Sequence, residues 1–525
     1  MHKTFILLFA IILLFKSSFA QNFNWISCIG YEDQSISEIN SNVIFQKSGN
    51  EIYKSNGTLA GTNQIYSFPQ NNSIIRNNNG FSFDNDTYFV KMGNFLFFKV
   101  ISQNGSFLWK TDGNINGTLL TKDLSTNVFC SNLCLMNSKM YFLTSYKDPI
   151  WGNITNELWQ SDGTTNGTIT IKNWTNEPSI YQYNNNIRYF NNKIYFSGFE
   201  SDGTTSGTIK TGVILPKESE SCLYNGYIYY NNNNNIWRTN GTKIGTSKTM
   251  DFPINGKIHL FNGWMYFSGG ESGPGKPGFE LYKTDGTLSN TSIVKDIYLG
   301  YKNSYPSNFI HSNNLLYFIA DDGFNGRQYW KTDGTFNGTN LVKQIAPTDN
   351  GLVLNTSGFN DSDYDRDFKQ IIFNNELYFY LKSNNGLKGI WKTDGTLSNT
   401  VFIHQTDSIR LIQNINSKIF FVADSNNTCQ RSIWTMDNNT SNFEEVKFNL
   451  EINNTIFPNP NNGKFKVNIP LENLNNEFEI FDEMGRKIKT IESNNDIDIS
   501  DFENGIYYLN IKEENIILKI LVLKN

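Results

Sequence analysis

One eleven-residue pattern returns along most of this chain: IYKSNGTLAGT from Ile52, LWKTDGNINGT from Leu108, LWQSDGTTNGT from Leu158, YWKTDGTFNGT from Tyr329 and IWKTDGTLSNT from Ile390. Its turn glycines are Gly57, Gly113, Gly163, Gly203, Gly241, Gly286, Gly334 and Gly395, at intervals of 38 to 61 residues, and SIWTMDNNT (432–440) reads as a worn ninth copy. Upstream of each turn runs a Tyr/Phe-rich stretch such as NSKMYFLTS from Asn137 or NNLLYFIADD from Asn313, and downstream one such as TLLTKDL from Thr118. Each unit thus offers three or four short strands. Strands rich in aromatic and β-branched residues cannot bury both faces alone, and a period of about 45 residues of antiparallel strands is that of propeller blades, which stack around a ring. The expected fold for residues 21–450 is all-β, an eight- or nine-bladed β-propeller, with a solenoid as the architectural alternative. The worn copy is then either shared across ring closure or outside the ring.

The repeated letters read as scaffold, not chemistry. Trp109, Trp159, Trp237, Trp330, Trp391 and Trp434 fall at one place in the unit, and Tyr53, Tyr282 and Phe199 fill it elsewhere, so the position asks only for a large aromatic. The Asp before the glycine recurs as Asp112, Asp162, Asp202, Asp285, Asp333 and Asp394, with Asn56 and Asn240 in its stead. Asp and Asn form turns equally well, whereas acid/base work separates them. That interchange predicts a hairpin turn in which Gly supplies a positive φ. The recurring NGT also matches the glycosylation pattern, which turn chemistry explains without glycans. The units resemble the ELWKTDGT repeats of bacterial surface and secreted proteins, some described as hyalin-like or propeller proteins; unit four, FESDGTTSGT, departs most by lacking the Trp-Lys pair.

Hydrophobic residues make up 38% of the 525, enough for a substantial core, and a net charge of -5 with 18% charged residues leaves no basic footprint for nucleic acid. Lys3, the apolar run Phe5–Phe15 and the small residues Ser18–Ala20 read as a secretory signal peptide over 1–20, cleaved after Ala20. Eleven apolar residues fall short of the ~20 needed for a spanning helix, so no integral membrane segment is expected. Cys28, Cys130, Cys134, Cys222 and Cys429 are too scattered for a zinc site, and are read as packing thiols. CSNLC could close a small loop only if a turn falls between Cys130 and Cys134, because one straight strand would hold them ~13 Å apart.

After about Asn453 a different pattern begins: IFPNPNNGKFKVNIP (456–470), FEIFDEMGRKIKTI (478–491), DISDFENGIYYLNI (498–511) and a final IILKILVLKN. Apolar Phe478 and Ile480 flank Glu479 as in a half-buried strand, and residues 453–525 read as a small C-terminal β-sandwich. The PNP with NGKF after it, the FDEMGRKI hairpin, the NGIYYLNI strand and the basic end at Lys519 and Lys524 closely resemble the type A C-terminal sorting domain of type IX secretion substrates. The resemblance implies a Gram-negative exporter. Its partners are the outer-membrane translocon and a sortase-like processing machinery, and the destination is the cell surface or the extracellular space, with the cargo either anchored or released.

For catalysis the sequence offers little. His259, His311 and His404 lie in different units and in no H-E-x-x-H pattern, and there is no G-x-S-x-G elbow, P-loop or paired-Cys zinc pattern. NDSDYDRDF (360–368) alternates Asp361, Asp363, Asp365 and Asp367 like a calcium loop but lacks the glycine and glutamate of an EF-hand, which leaves calcium as a candidate ion and no other cofactor. GGESGPGKPG (269–278) is a second irregular insertion, and insertions in repeat folds gather on one face. Trp151 and Trp174, outside the repeat position, are candidates for stacking on a sugar or peptide, with blade packing as the plainer reading. The inventory favours a binding or adhesion module over a secreted polysaccharide- or protein-degrading enzyme or a structural surface component.

Overall fold

The computed structural model describes residues 22–524 outside a series of intervals, the longest of which are 29–35, 76–88, 176–186, 346–368, 438–454 and 469–475. The chain divides into two compact units, Met1–Asn439 and Thr440–Asn525. Among the described residues both are built of antiparallel strands, with no α-helix.

The larger unit consists of nine successive sheets among its described residues. The sixth is representative: Ile254–Phe261, Trp264–Gly269, Glu280–Thr284 and Ser292–Lys295 pair in chain order. The second and third sheets carry a fifth strand, because their first strand is broken in two; Val128–Cys130 and Cys134–Met136 both pair with Lys139–Lys147. Only a three-residue break, not a turn, separates Cys130 from Cys134, opposite Thr144 and Tyr141 of one partner strand, and both thiols are free, as is Cys222. The fourth sheet, where the Trp-Lys pair is missing, has short strands of two to four residues yet keeps the same order.

The second strand of each sheet explains the Tyr/Phe-rich stretches. In Leu315–Asp321 the residues Leu316, Phe318 and Ala320 enter one apolar cluster with Tyr266 and Leu281 of the sixth sheet. Tyr317 and Ile319 enter another with Leu377 and Phe379 of the eighth. A strand packed on both faces needs apolar side chains at every position, which is why the run is continuous and not alternating. Nine such clusters lie between consecutive sheets among the described residues. The ninth joins Ile415, Phe420, Val422 and Ile433 of the last sheet to Ile36, Val43 and Phe45 of the first.

The worn ninth copy supplies three strands, Ile409–Ile415, Lys418–Asp424 and Arg431–Asp437. The fourth strand of that sheet comes from the other end of the unit: Asn22–Cys28 pairs antiparallel with Arg431–Asp437, Trp25 opposite Trp434.

The smaller unit has a three-stranded sheet (Thr455–Phe457, Lys464–Asn468, Asp496–Asp498) and a four-stranded one (Lys487–Ser493, Asn476–Asp482, Gly505–Ile511, Ile516–Val522). Phe465 and Ile497 from the first and Phe478, Ile480, Leu509, Ile520 and Val522 from the second share one buried cluster. The alternation about Glu479 is realised, with Phe478 and Ile480 fully buried on either side of it.

Candidate functional site

Strand alternation gives every sheet two different ends. At one end lie the links from first to second strand and from third to fourth. The first kind is a two-residue turn with positive φ at both residues, such as Asn191–Asn192 or Asn374–Asn375, the mirror-type turn that matches strand twist. Asparagine is among the residues that tolerate it best. The second kind is the Asp-Gly motif, which opens a seven-residue loop, 333–339 in the seventh sheet.

That loop saturates its own polar groups. Asp333 Oδ1 accepts from Thr335 N at 2.8 Å and from Thr335 Oγ1 at 2.7 Å, while Thr335 Oγ1 accepts from Gly338 N at 3.0 Å. Thr339 Oγ1 donates to Thr335 O at 2.6 Å, so in its 2.7 Å contact with Thr332 Oγ1 it is the acceptor. Thr332 Oγ1 in turn accepts from Gly334 N at 2.9 Å. Gly334 has φ +93°, and the Tyr266 hydroxyl of the preceding sheet stands where a Cβ would be. Asn56 and Asn240 accept from Thr58 N and Thr242 N at 3.1 and 3.0 Å in the same manner, so the position needs only an oxygen acceptor. The Thr335 hydroxyl and amide hold the Asp333 carboxyl below its ordinary value, the state of a structural cap and not of a proton-transfer group.

The lysine of the motif is likewise committed. Lys110, Lys283 and Lys331 Nζ donate to the turn carbonyls of Gly163, Gly334 and Gly395 in the next sheet at 2.8, 2.9 and 2.6 Å. Lys295 and Lys343 reach Thr339 O and Thr400 O, at 2.6 and 2.8 Å.

The opposite end carries the links from second to third strand and from one sheet to the next, and these share no common sequence. In the sixth and seventh sheets they are 270–279, 296–306 and 322–326. Glu280, fully buried at the start of its strand, organises them: its carboxylate accepts from Ile297 N at 2.7 Å, Ser304 N at 2.9 Å and Ser304 Oγ at 2.5 Å. Burial pushes this carboxyl up to about 7, with the Ser304 and Ile297 donors acting against it. Asn303 Oδ1 accepts from Phe279 N at 2.9 Å, and the Phe279 and Tyr305 rings stack at 5.8 Å. Asp321 N donates to Ser304 O at 3.0 Å, so 296–306 is fastened to the seventh sheet as well. On this fastened segment and its neighbour, large apolar side chains face solvent: Leu299 is 76% exposed, Tyr301 58% and Phe324 88%. The sequence marked 269–278 as an irregular insertion; 296–306, which carries two of these side chains, showed no composition bias.

Two histidines from different units also meet. His259 Nε2 lies 3.0 Å from His311 Nδ1, across the first strands of the sixth and seventh sheets, a pairing hidden by a sequence separation of 52. Trp174 is half-buried with its ring against Phe196 (5.9 Å) and Phe199 (5.0 Å) of the fourth sheet. Trp151, the signal segment 1–20 and Asp361, Asp363, Asp365 and Asp367 lie outside the described residues. Among the described residues no three His, Cys, Asp or Glu side chains converge as a metal cage.

Residues 455–524 match the family described as secretion system C-terminal sorting domain. Such a tail marks a protein for type IX sorting, with export to the cell surface or the extracellular space. Among the described residues no helix is long and apolar enough to cross a membrane. No curated protein matches the sequence. Solved structures similar to the chain include the computationally designed Ika8 protein (8% identity, TM-score 0.33, 78% of this chain and 99% of that one). Others are a puromycin hydrolase (8%, 0.33, 76% and 60%) and prolyl oligopeptidase B from Galerina marginata (10%, 0.34, 74% and 55%). The chain thus spans little more than half the length of those two hydrolases, and likenesses this remote say nothing about its activity.

Proposed function

We propose that the protein is an exported binding module, a β-propeller of nine blades over residues 21–450 that recognises an extracellular polysaccharide or protein through its irregular loop end. A signal peptide over 1–20 starts its export, and the sorting domain at 453–525, a small β-sandwich, engages the type IX translocon and its processing machinery. Nine sheets with nine interfacial clusters, the last of which returns to the first sheet, support nine blades over eight.

The observation that carries the binding reading is the segment 296–306, which Glu280 and Ser304 hold in place and which presents Leu299 and Tyr301 to solvent, together with Phe324 on the link 322–326. The motif loops also expose single apolar side chains, such as Ile244 and Phe336, but on turns that repeat one pattern and spend their polar groups on themselves. Aromatic side chains on pre-ordered backbone bind with little loss of conformational entropy.

The test is binding of the mature full-length chain to arrays of polysaccharides and extracellular proteins. A saturable ligand is expected, bound at least tenfold more weakly by the double variant Tyr301→Ala, Phe324→Ala, about 1.4 kcal/mol. Undiminished binding by that variant would move the site elsewhere, and conversion of the ligand to product would replace the adhesion reading with an enzymatic one.

A further inference from the structure

We propose that His259 and His311 together form a two-imidazole site for a borderline divalent transition metal of the copper(II), nickel or zinc kind. The two side chains come from Ile254–Phe261 and Ser307–Ser312, the first strands of consecutive sheets, and their facing nitrogens, Nε2 and Nδ1, are 3.0 Å apart. Two imidazole nitrogens bound to one such ion, each about 2.0–2.1 Å from it and at an angle between square and tetrahedral, stand about 2.8–3.4 Å from one another. The pair therefore holds the spacing that chelation requires; the rings now meet nearly head on, with centroids 5.2 Å apart, and turn on binding so that both lone pairs converge on the ion.

The surroundings suit an ion that prefers nitrogen. The His259 ring lies along Phe309 at 6.2 Å, and Phe261 stands 5.8 Å from the His311 ring, so each imidazole has an aromatic wall beside it. His259 is half-buried and His311 exposed, which leaves the remaining coordination positions to water. In the absence of metal one ring donates its N–H to the other. On binding, the donor ring changes tautomer, its facing nitrogen giving up a proton to solvent while its far nitrogen takes one from solvent, so that both facing nitrogens offer lone pairs and no net proton is released. With two protein ligands, affinity should follow the ordinary order in which copper(II) exceeds nickel and zinc, and calcium, which prefers oxygen, should not compete. Because the ligands sit on different sheets, the ion would pin the sixth sheet to the seventh.

The experiment is calorimetric titration of the untagged mature chain with copper(II) and with zinc at pH 7.5, with electron paramagnetic resonance of the copper form. One equivalent of copper(II) should bind, with nitrogen hyperfine coupling from two imidazoles, and zinc should raise the melting temperature because it binds the folded state. His311→Gln, at an exposed position that leaves the fold intact, should weaken binding at least tenfold, His259→Gln likewise, and His404→Gln not at all. Undiminished uptake by His311→Gln, or no saturable uptake by the native chain, would overturn the site.

Discussion

The aromatic of the repeat is a wedge between sheets, and only its bulk is used. Trp330 is 7% exposed, and its indole Nε1, like that of Trp391, is buried without a hydrogen-bond partner. The wedge is completed by stacking on a neighbour, as for Phe142 on Trp159 at 6.0 Å or Phe421 on Trp434 at 6.2 Å. An indole whose N–H is idle can be exchanged for phenyl or phenol, which accounts for Phe199, Tyr53 and Tyr282 at the same position. Trp330→Ala is therefore expected to cost about 3–5 kcal/mol and Trp330→Phe much less, read by chemical denaturation. An unchanged midpoint for the alanine variant would contradict the packing role. Trp159 is the exception to substitute with care: its Nε1 donates to Thr144 Oγ1 and Glu157 Oε2, both at 3.0 Å.

At the scale of elements, one carboxyl group binds the segment 296–306 at two points, Ile297 and Ser304. Glu280 looks in the sequence like one more letter of the repeat, since Glu157 occupies the same place in unit three; its partners, 17 and 24 residues away, are visible only in the fold. Its folded-state value of about 7 lies above the 4.5 of an ordinary glutamate, so between those values the folded protein holds more protons than the unfolded chain. The contribution of this group is therefore complete below about 4.5 and is lost as pH rises through 7. Glu280→Gln cannot titrate, so the stability advantage of the native protein over this variant should shrink between those two pH values, as measured by denaturation across the range. A constant difference would mean that the carboxyl does not change its charge there.

For the larger unit as a whole, the decisive contact is between its two ends. Asn22–Cys28 completes the sheet begun by 409–437, and Ile26 enters the cluster that also holds Ile36 and Val43. Repeats that bury their faces only against neighbours gain stability when the first and last are joined. Deleting 22–28 should leave the last sheet with three strands, lower the melting temperature and render 409–437 the first site of limited proteolysis. A truncated chain that melts and resists protease like the native one would show that this strand is dispensable.

What was legible in the sequence was whatever is local. The Asp/Asn-Gly turns bond within seven residues, the strand runs declare themselves by composition, and the sorting tail carries its motifs in seventy consecutive positions. The Asn-Asn, Asn-Ser and Asn-Gly turns ahead of most Tyr/Phe runs were equally local, and the Asn signal for a mirror-type turn was there to be read. The tertiary structure alone decided which sheets touch: that Trp25 faces Trp434, that the motif lysines clasp the next turn, that Glu280 gathers a loop, and that His259 meets His311. Contacts between stacked sheets depend on which units become neighbours and how closely they approach, and neither leaves a periodic trace along the chain.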